Sequence, residues 1–109
     1  MKYKVIIAAL KPDVTDQVVE AAKACGISGA TIVPGRGTGM HEAKTLLGLT
    51  LDTQTDVVFF LAEEELVQPV MTAIHLAGRL DEHGTGVVFV IPVEQVDGIK
   101  DAIVRQKPN

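Results

Sequence analysis

The chain has 109 residues, a length that suits one domain with a single modest core. Hydrophobic residues make up 47% of it, so we expect a packed globular fold rather than a disordered chain. One tyrosine, three phenylalanines and no tryptophan leave few rings for stacking on bases. The formal net charge is -4 and no block of lysines or arginines occurs, which argues against a nucleic-acid-binding protein.

No stretch of the sequence is apolar over a length that spans a bilayer. The short apolar run Val5–Leu10 ends at Lys11, unlike the core of a signal peptide. We therefore expect a cytoplasmic protein with no direct membrane insertion.

The first half of the chain predicts a strand, a helix, a second strand and a long loop. Tyr3–Leu10 is an apolar run typical of a buried strand, and Pro12 both ends it and starts a helix. Apolar residues at helical spacing follow, with Gly26 as the stop signal. A short strand is expected at Ala30–Val33, and the segment 37–56 is predicted to be a loop with little regular pattern.

The second half predicts a strand, a helix, a strand and a short terminal helix. Val57–Ala62 reads as a buried strand, and Glu63–Glu65 place acidic residues at a helix start, where the helix dipole favours them. Pro69 is tolerated there if it falls within the first turn. Val87–Val93 is predicted to be the last strand, and Glu94–Val104 a short helix.

This order of elements predicts an α+β fold of the ferredoxin-like split βαβ type (βαββαβ). It has an antiparallel four-stranded sheet, two helices on one face, and a long loop between strands 2 and 3. The third strand, Val57–Leu61, has no polar side to show to water. Other copies of the chain must then cover the second face of the sheet, which predicts an oligomer. We expect residues 1–109 to form a single domain and the polar tail, 105–109, to fray.

A glycine-bearing turn precedes the last predicted strand. Gly84 and Gly86 flank Thr85, and such a turn leaves backbone N–H groups that converge on a phosphate, with the Thr85 hydroxyl as a further donor. An ordinary helix-to-strand connection, in which glycine supplies a positive φ, explains the same residues. Arg79 is either an anion-binding guanidinium or a cation that satisfies the last carbonyls of a helix.

The start of the predicted loop carries a second candidate cation. Arg36, between Gly35 and Gly37, is either an anion ligand or a solvated loop arginine, and the glycines either let a ligand approach or act as a hinge. The loop also has leucines that either dock into a partner's apolar groove or fold back onto the oligomer: Leu46, Leu47 and Leu49.

The chain shows no pattern typical of an enzyme or a metal site. His41, His75 and His83 are too scattered for a metal motif, so no metal ligand is predicted. No nucleophile–base arrangement and no Walker lysine occur, so we do not expect an enzyme. Cys25 is predicted to be a small core residue rather than a reactive thiol.

These segments together resemble the PII signal-transduction family, the trimeric regulators of nitrogen and carbon transport. Lys11-Pro12 and Gly26–Ile32 are similar to the family's strand, helix and GIxGxT pattern, and Gly35–Gly37 resembles the opening of its T-loop. Ile74–Val90 and Pro92–Glu94 align without gaps to its B-loop and last strand.

The resemblance implies a homotrimer with an adenine nucleotide (ATP, ADP or AMP) between adjacent subunits. It would lie beside a B-loop-like segment, 79–86, and the base of a T-loop-like segment, 37–56. Binding would change the order of that second segment, which then engages or releases a membrane transporter or a metabolic enzyme. The residues expected to bind the nucleotide are Thr31, Gly35, Arg36, Gly37, Arg79, Gly84, Thr85 and Gly86.

Several positions depart from the family pattern. The B-loop reads TGxxGDGK in typical members, and Val87 stands at its lysine, which contacts nucleotide phosphate. Val57 stands at a lysine expected after the T-loop, and Gln95–Gly98 replaces the RIRTGE motif. The glutamine that helps to hold 2-oxoglutarate and magnesium is replaced by Gly39 or Met40. These changes favour a divergent member whose adenine nucleotide has fewer phosphates.

Two other classes of protein stay open. One is a CutA-like trimer of the same architecture, structural or metal-binding, in which the three histidines would cluster at an interface. The other is an enzyme on a ferredoxin-like scaffold, which fold alone does not exclude.

Overall fold

The computed structural model describes residues 2–37, 44–46, 49–51 and 53–99. Six strands and two α-helices lie in these ranges, and a short 3-10 turn, Glu64–Leu66, precedes the second helix. In chain order the elements are β1 (Tyr3–Leu10), α1 (Pro12–Ala24), β2 (Thr31–Gly37), β3 (Lys44–Leu46), β4 (Leu49–Leu51), β5 (Thr53–Glu63), α2 (Val67–Ala77) and β6 (Gly86–Pro92).

Four of the strands form one antiparallel sheet in the order β2-β5-β1-β6. The central strand β1 therefore pairs with β5 on one side and with β6 on the other. The two helices pack on one face of this sheet. The arrangement confirms the predicted α+β ferredoxin-like fold, with β2 and β5 as the predicted strands 2 and 3.

The hydrophobic core lies between the helices and one face of the sheet. Side chains alternate along a strand, so every second residue of β1 and β5 faces the helices. These buried strand residues are Ile6, Ala8, Leu10, Val58, Phe60 and Ala62. The helices complete the core with residues at a spacing of four: Val14, Val18 and Ala22 from α1, and Val70 and Ile74 from α2.

The opposite face of the sheet is apolar, and neither helix covers it. Across this face the strand register aligns Val33, Val57, Ala9 and Val87 in one row. Phe59, Phe89 and Ile91, further along the same face, are also exposed. Apolar patches of this extent are rare on monomers, because burying them against another surface lowers the free energy.

The strands extend further into the segment 37–56 than predicted. β2 continues to Gly37 and β5 begins at Thr53, and these two residues are paired with each other. The strands β3 and β4 pair antiparallel within the segment. The prediction of little regular structure was therefore wrong for these residues, because backbone N–H and C=O groups of antiparallel segments satisfy each other in strand pairs.

Two of the three leucines predicted to contact a partner lie in β3 and β4. Leu46 ends β3, Leu49 begins β4, and Leu47 lies outside the described residues.

The predicted C-terminal helix, Glu94–Val104, is wrong for the residues that the structure describes. Residues 94–99 are not helical, and 100–104 lie outside the described ranges. Gly98 has a φ of 91°, and its N–H donates a hydrogen bond of 2.7 Å to the Asp97 side chain. A left-handed residue and a competing local hydrogen bond both oppose helix formation.

The helix boundaries follow the sequence signals closely. α1 ends just before Gly26, which has a φ of 113°, as the stop signal predicted. The acidic residues predicted to start a helix flank and begin the 3-10 turn, and α2 itself starts three residues later than Glu64. Pro69 is the third residue of α2, where its missing N–H has no helical partner to lose. No helix in the described part of the chain is long and apolar enough to span a membrane.

We expect Phe60→Ala to lower the free energy of unfolding by about 3–5 kcal/mol, because Phe60 is 1% exposed and its removal leaves a cavity. Leu76→Ala is the control, since Leu76 is 71% exposed and its truncation costs about 0.5 kcal/mol or less. Chemical denaturation at a fixed protein concentration measures both. Equal losses in the two variants would contradict the assignment of the core.

Candidate functional site

The residues predicted to bind a nucleotide lie on the two outer strands of the sheet or in the turn before one of them. One group is on β2, and the other surrounds the start of β6. Because β5 and β1 lie between these strands, the two groups are three strand spacings apart, which is roughly 14 Å in total. The β2 group is Thr31, Gly35, Arg36 and Gly37, and the β6 group is Arg79, Gly84, Thr85 and Gly86.

Apart from Thr31, which pairs with Phe59 three residues before Pro34 on β2, both groups nevertheless border the same end of the sheet. Pro34, Asp56, Leu10 and Gly86 form one row across the four strands, as the register shows. The end of β2 and the turn before β6 are therefore level with each other at opposite edges. A single subunit does not bring the two groups together.

Arg79 has a backbone conformation that glycine usually supplies. The Leu80 N–H donates to the His75 carbonyl (3.0 Å) and the Arg79 N–H to the Leu76 carbonyl (3.2 Å). These two bonds form the Schellman motif, in which the residue after the C-cap is left-handed. Arg79 occupies that position with a φ of 54°, at a cost of about 1–2 kcal/mol for a residue with a Cβ. Its own N–H thus reaches one of the last helix carbonyls.

The Arg79 guanidinium lies half-exposed between two carboxylates. Its Nη2 is 3.9 Å from Asp13 Oδ2, and its Nε is 3.8 Å from Glu82 Oε2. Exposed ion pairs at such distances contribute at most about 1 kcal/mol each. A ligand anion that accepts two charge-assisted hydrogen bonds can therefore displace them.

Thr85 is buried and its hydroxyl contacts two backbone carbonyls of the turn. It is 6% exposed, and its hydroxyl oxygen lies 2.7 Å from the Arg79 carbonyl and 2.9 Å from the Glu82 carbonyl. A hydroxyl has a single proton to donate, and here that proton stays within the turn. The predicted use of this hydroxyl as a ligand donor is therefore not what the structure has, because both of its hydrogen-bond partners belong to the turn itself.

Both glycines of the turn have positive φ, 77° at Gly84 and 155° at Gly86. A Cβ at Gly86 would lie 2.5 Å from the Ala9 carbonyl oxygen and 3.4 Å from the Leu10 Cα. The start of β6 passes too close to β1 for any side chain. The structure thus requires glycine at position 86 independently of any ligand, and the φ of Gly84 also favours glycine.

The β2 group is exposed along one edge strand. Thr31 pairs with Phe59 and lines an apolar groove of about 270 Å³. Arg36 is exposed near the end of the strand. Gly37 lets the Thr55 side chain approach the backbone of β2 closely, since a Cβ at position 37 would lie 2.9 Å from Thr55 Oγ1.

The histidines are not gathered into a metal site in the described part of the chain. His75 and His83 are exposed, and His41 lies outside the described residues. Within those residues no group of three His, Cys, Asp or Glu side chains is placed to hold a metal ion. Cys25 is half-buried against the core, as predicted, with its Sγ 3.7 Å from the Pro69 carbonyl oxygen.

Sequence reasoning missed a buried polar contact at the base of the segment 37–56. The Thr15 hydroxyl donates to Asp56 Oδ2 at 2.7 Å, and Thr15 is only 3% exposed. Thr15 follows Val14 and precedes Val18 by three residues, so its place on the buried side of α1 was visible in the sequence. Buried hydroxyls need a partner, but 41 residues of separation concealed which one it was.

The fold, the extended strand pair after β2 and the glycine-bearing turn before β6 define a PII-like α+β protein. The family model described as "Nitrogen regulatory protein P-II" matches residues 3–102. Relatives named Nitrogen regulatory protein P-II are 32% identical in Azospirillum brasilense, 31% in Cereibacter sphaeroides and 32% in Rhizobium meliloti (strain 1021). Each match covers 89% of this chain and 91% of the relative. The chain belongs to the nitrogen regulatory protein P-II family.

Proteins of this family are regulatory signal transducers, and this chain is a PII-like signalling regulator. The comparisons give no support to the CutA-like alternative.

We expect Gly86→Ala to lower the free energy of unfolding by about 2 kcal/mol or more, since it combines a strained φ with a backbone clash. Gly29→Ala is the matched control: no atom lies within 4 Å of a Cβ there, so its effect stays within about 0.5 kcal/mol. Denaturation curves of both variants test this expectation. A fully stable Gly86→Ala protein would disprove the close approach of β6 to β1.

Proposed function

We propose that this chain is a PII-like regulator that works in the cytoplasm as a homotrimer. It binds an adenine nucleotide at the boundaries between subunits, and its T-loop-like segment, 37–56, controls a membrane transporter or a metabolic enzyme. One observation carries the proposal: the anion-binding candidates stand at the same end of one sheet but at opposite edges.

Assembly of copies offers a way to unite the two groups. Each subunit has one β2 edge and one β6 edge, so a closed ring can set the β2 of one copy beside the turn 79–86 of the next. The uncovered apolar face of the sheet supplies the driving force for such a ring. β2 itself is exposed from Thr31 to Arg36, on both faces, as expected of a strand that neighbouring copies enclose.

The chemistry of the two groups suits the two ends of a nucleotide. The apolar groove beside Thr31 offers a slot for a flat base, while Arg79 and the backbone N–H groups of the turn suit phosphate oxygens. Arg79 is already flanked by Asp13 and Glu82, which oppose further negative charge nearby. This balance favours AMP or ADP over ATP.

The apolar row of the open face supports the same preference. Val57 and Val87 lie on either side of Ala9 in that row, where the resemblance leads one to expect lysines. Neither side chain offers a cation to a long phosphate chain. The proposed ligand is therefore an adenine nucleotide with one or two phosphates.

We expect saturable binding of AMP or ADP in calorimetric titrations with and without magnesium. Arg79→Gly is expected to weaken it at least about tenfold, because a charge-assisted contact to phosphate is lost. Glycine suits the left-handed backbone at this position, so the variant keeps its fold.

Lys23→Ala is the control, since it removes an exposed cation from the last turn of α1. It should leave the affinity unchanged. Absence of binding for AMP, ADP and ATP alike would reject the nucleotide part of the proposal.

We expect light scattering to give three times the subunit mass of 11.6 kDa for the unmodified chain. Phe89→Asp should shift the protein towards monomers, because it places a charge on the apolar face. Leu76→Asp puts the same charge on the exposed side of α2 and should leave the trimer intact. A monomeric unmodified chain would contradict the proposed assembly.

A further inference from the structure

The first turn of α1 lies between the two sequence segments that flank the proposed site. Only Lys11 separates the end of β1 from α1, and β1 runs between β5 and β6. At this end of the sheet Leu10 pairs with Asp56 of β5 on one side and with Gly86 of β6 on the other. The helix therefore starts directly over the junction of the three strands.

Two side chains of this turn reach in different directions. Residues two apart on a helix point roughly 200° from each other. The exposed Asp13 carboxylate contacts the Arg79 guanidinium, with Oδ2 and Nη2 3.9 Å apart. The buried Thr15 hydroxyl donates a hydrogen bond of 2.7 Å to Asp56 Oδ2, at the base of the segment 37–56.

These two contacts differ in strength. The Asp13–Arg79 pair is long and exposed, so a ligand anion at Arg79 can compete with it. The Thr15–Asp56 bond is short, its donor is buried and its acceptor is a half-buried carboxylate, so it is the stronger of the two contacts. A ligand at Arg79 would therefore break the Asp13–Arg79 contact first, while the Thr15–Asp56 bond keeps the same helix turn attached to β5.

We propose that Asp13, Thr15 and Asp56 are positioning residues that couple ligand occupancy at Arg79 to the start of β5. The inference rests on the proposed function, because it requires a phosphate-bearing ligand at Arg79. The ligand replaces Asp13 as the partner of the guanidinium, the first turn of α1 readjusts, and Thr15 carries Asp56 with it. The three residues act through Arg79 and β5, and none of them touches the ligand.

Hydrogen–deuterium exchange of the full chain, with and without ADP, tests the coupling. Two segments are followed: the turn 79–86 and the start of β5, 54–57. In the unmodified chain ADP slows exchange in both. In Thr15→Val, which keeps the shape but removes the hydroxyl, ADP slows exchange in the turn and no longer at the start of β5. Thr15→Ser restores the second response.

Exposed positions provide a second variant and the controls. Asp13→Asn removes the contact with Arg79 without disturbing the core, so ADP binds but the start of β5 no longer responds. Asp16→Asn and Thr72→Val make the same chemical changes at other exposed helix positions, and both retain the response at β5.

The outcomes separate this inference from the function on which it rests. If ADP slows exchange in both segments of Thr15→Val and Asp13→Asn as well, the nucleotide site stands and the coupling through α1 is wrong. If ADP alters neither segment of the unmodified chain and calorimetry detects no binding, the proposed function fails and the inference fails with it.

Discussion

The rest of the structure depends on the antiparallel pairing of β1 with both of its neighbours. Because β1 is central, its register with β5 and β6 determines which residues share a row and which share a face. Gly86 meets that constraint at its tightest point, where the Ala9 carbonyl leaves no room for a side chain. The turn before β6 is thereby held level with the end of β2, although the two never meet in one subunit.

A second consequence of this pairing is a sheet with two apolar faces and helices for only one of them. Phe60 and Phe59 are adjacent in the sequence, yet one is buried under the helices while the other is exposed. A strand whose residues are apolar on both sides is suited to burial on both sides. The same alternation that builds the core of the subunit thus generates the surface on which copies would assemble.

At the proposed site the backbone departs from the usual residue preferences of a helix end. Arg79 takes the left-handed position that glycine normally fills, and its guanidinium is shared between carboxylates at nearly 4 Å. Departures of this kind are often found at functional positions, where a side chain with a specific role offsets the cost of backbone strain. The buried Thr85 hydroxyl lies within hydrogen-bond distance of the Arg79 and Glu82 carbonyls and so links the two ends of this turn.

The sequence by itself determined the order of the four main strands and two helices, the buried face of α1 and the ends of α1, because periodicity, proline and glycine act within a few residues. It also placed Arg79, Gly84 and Gly86 in one turn. The tertiary structure decided the features that depend on strand register: the opposite edges of the two residue groups, the row from Pro34 to Gly86, and the Thr15–Asp56 contact. Residues 94–99 are not helical for a local reason, since the positive φ of Gly98 and its hydrogen bond to Asp97 oppose a helix there. Pairing between distant segments is a property of the packed sheet, and no local pattern in the chain encodes it.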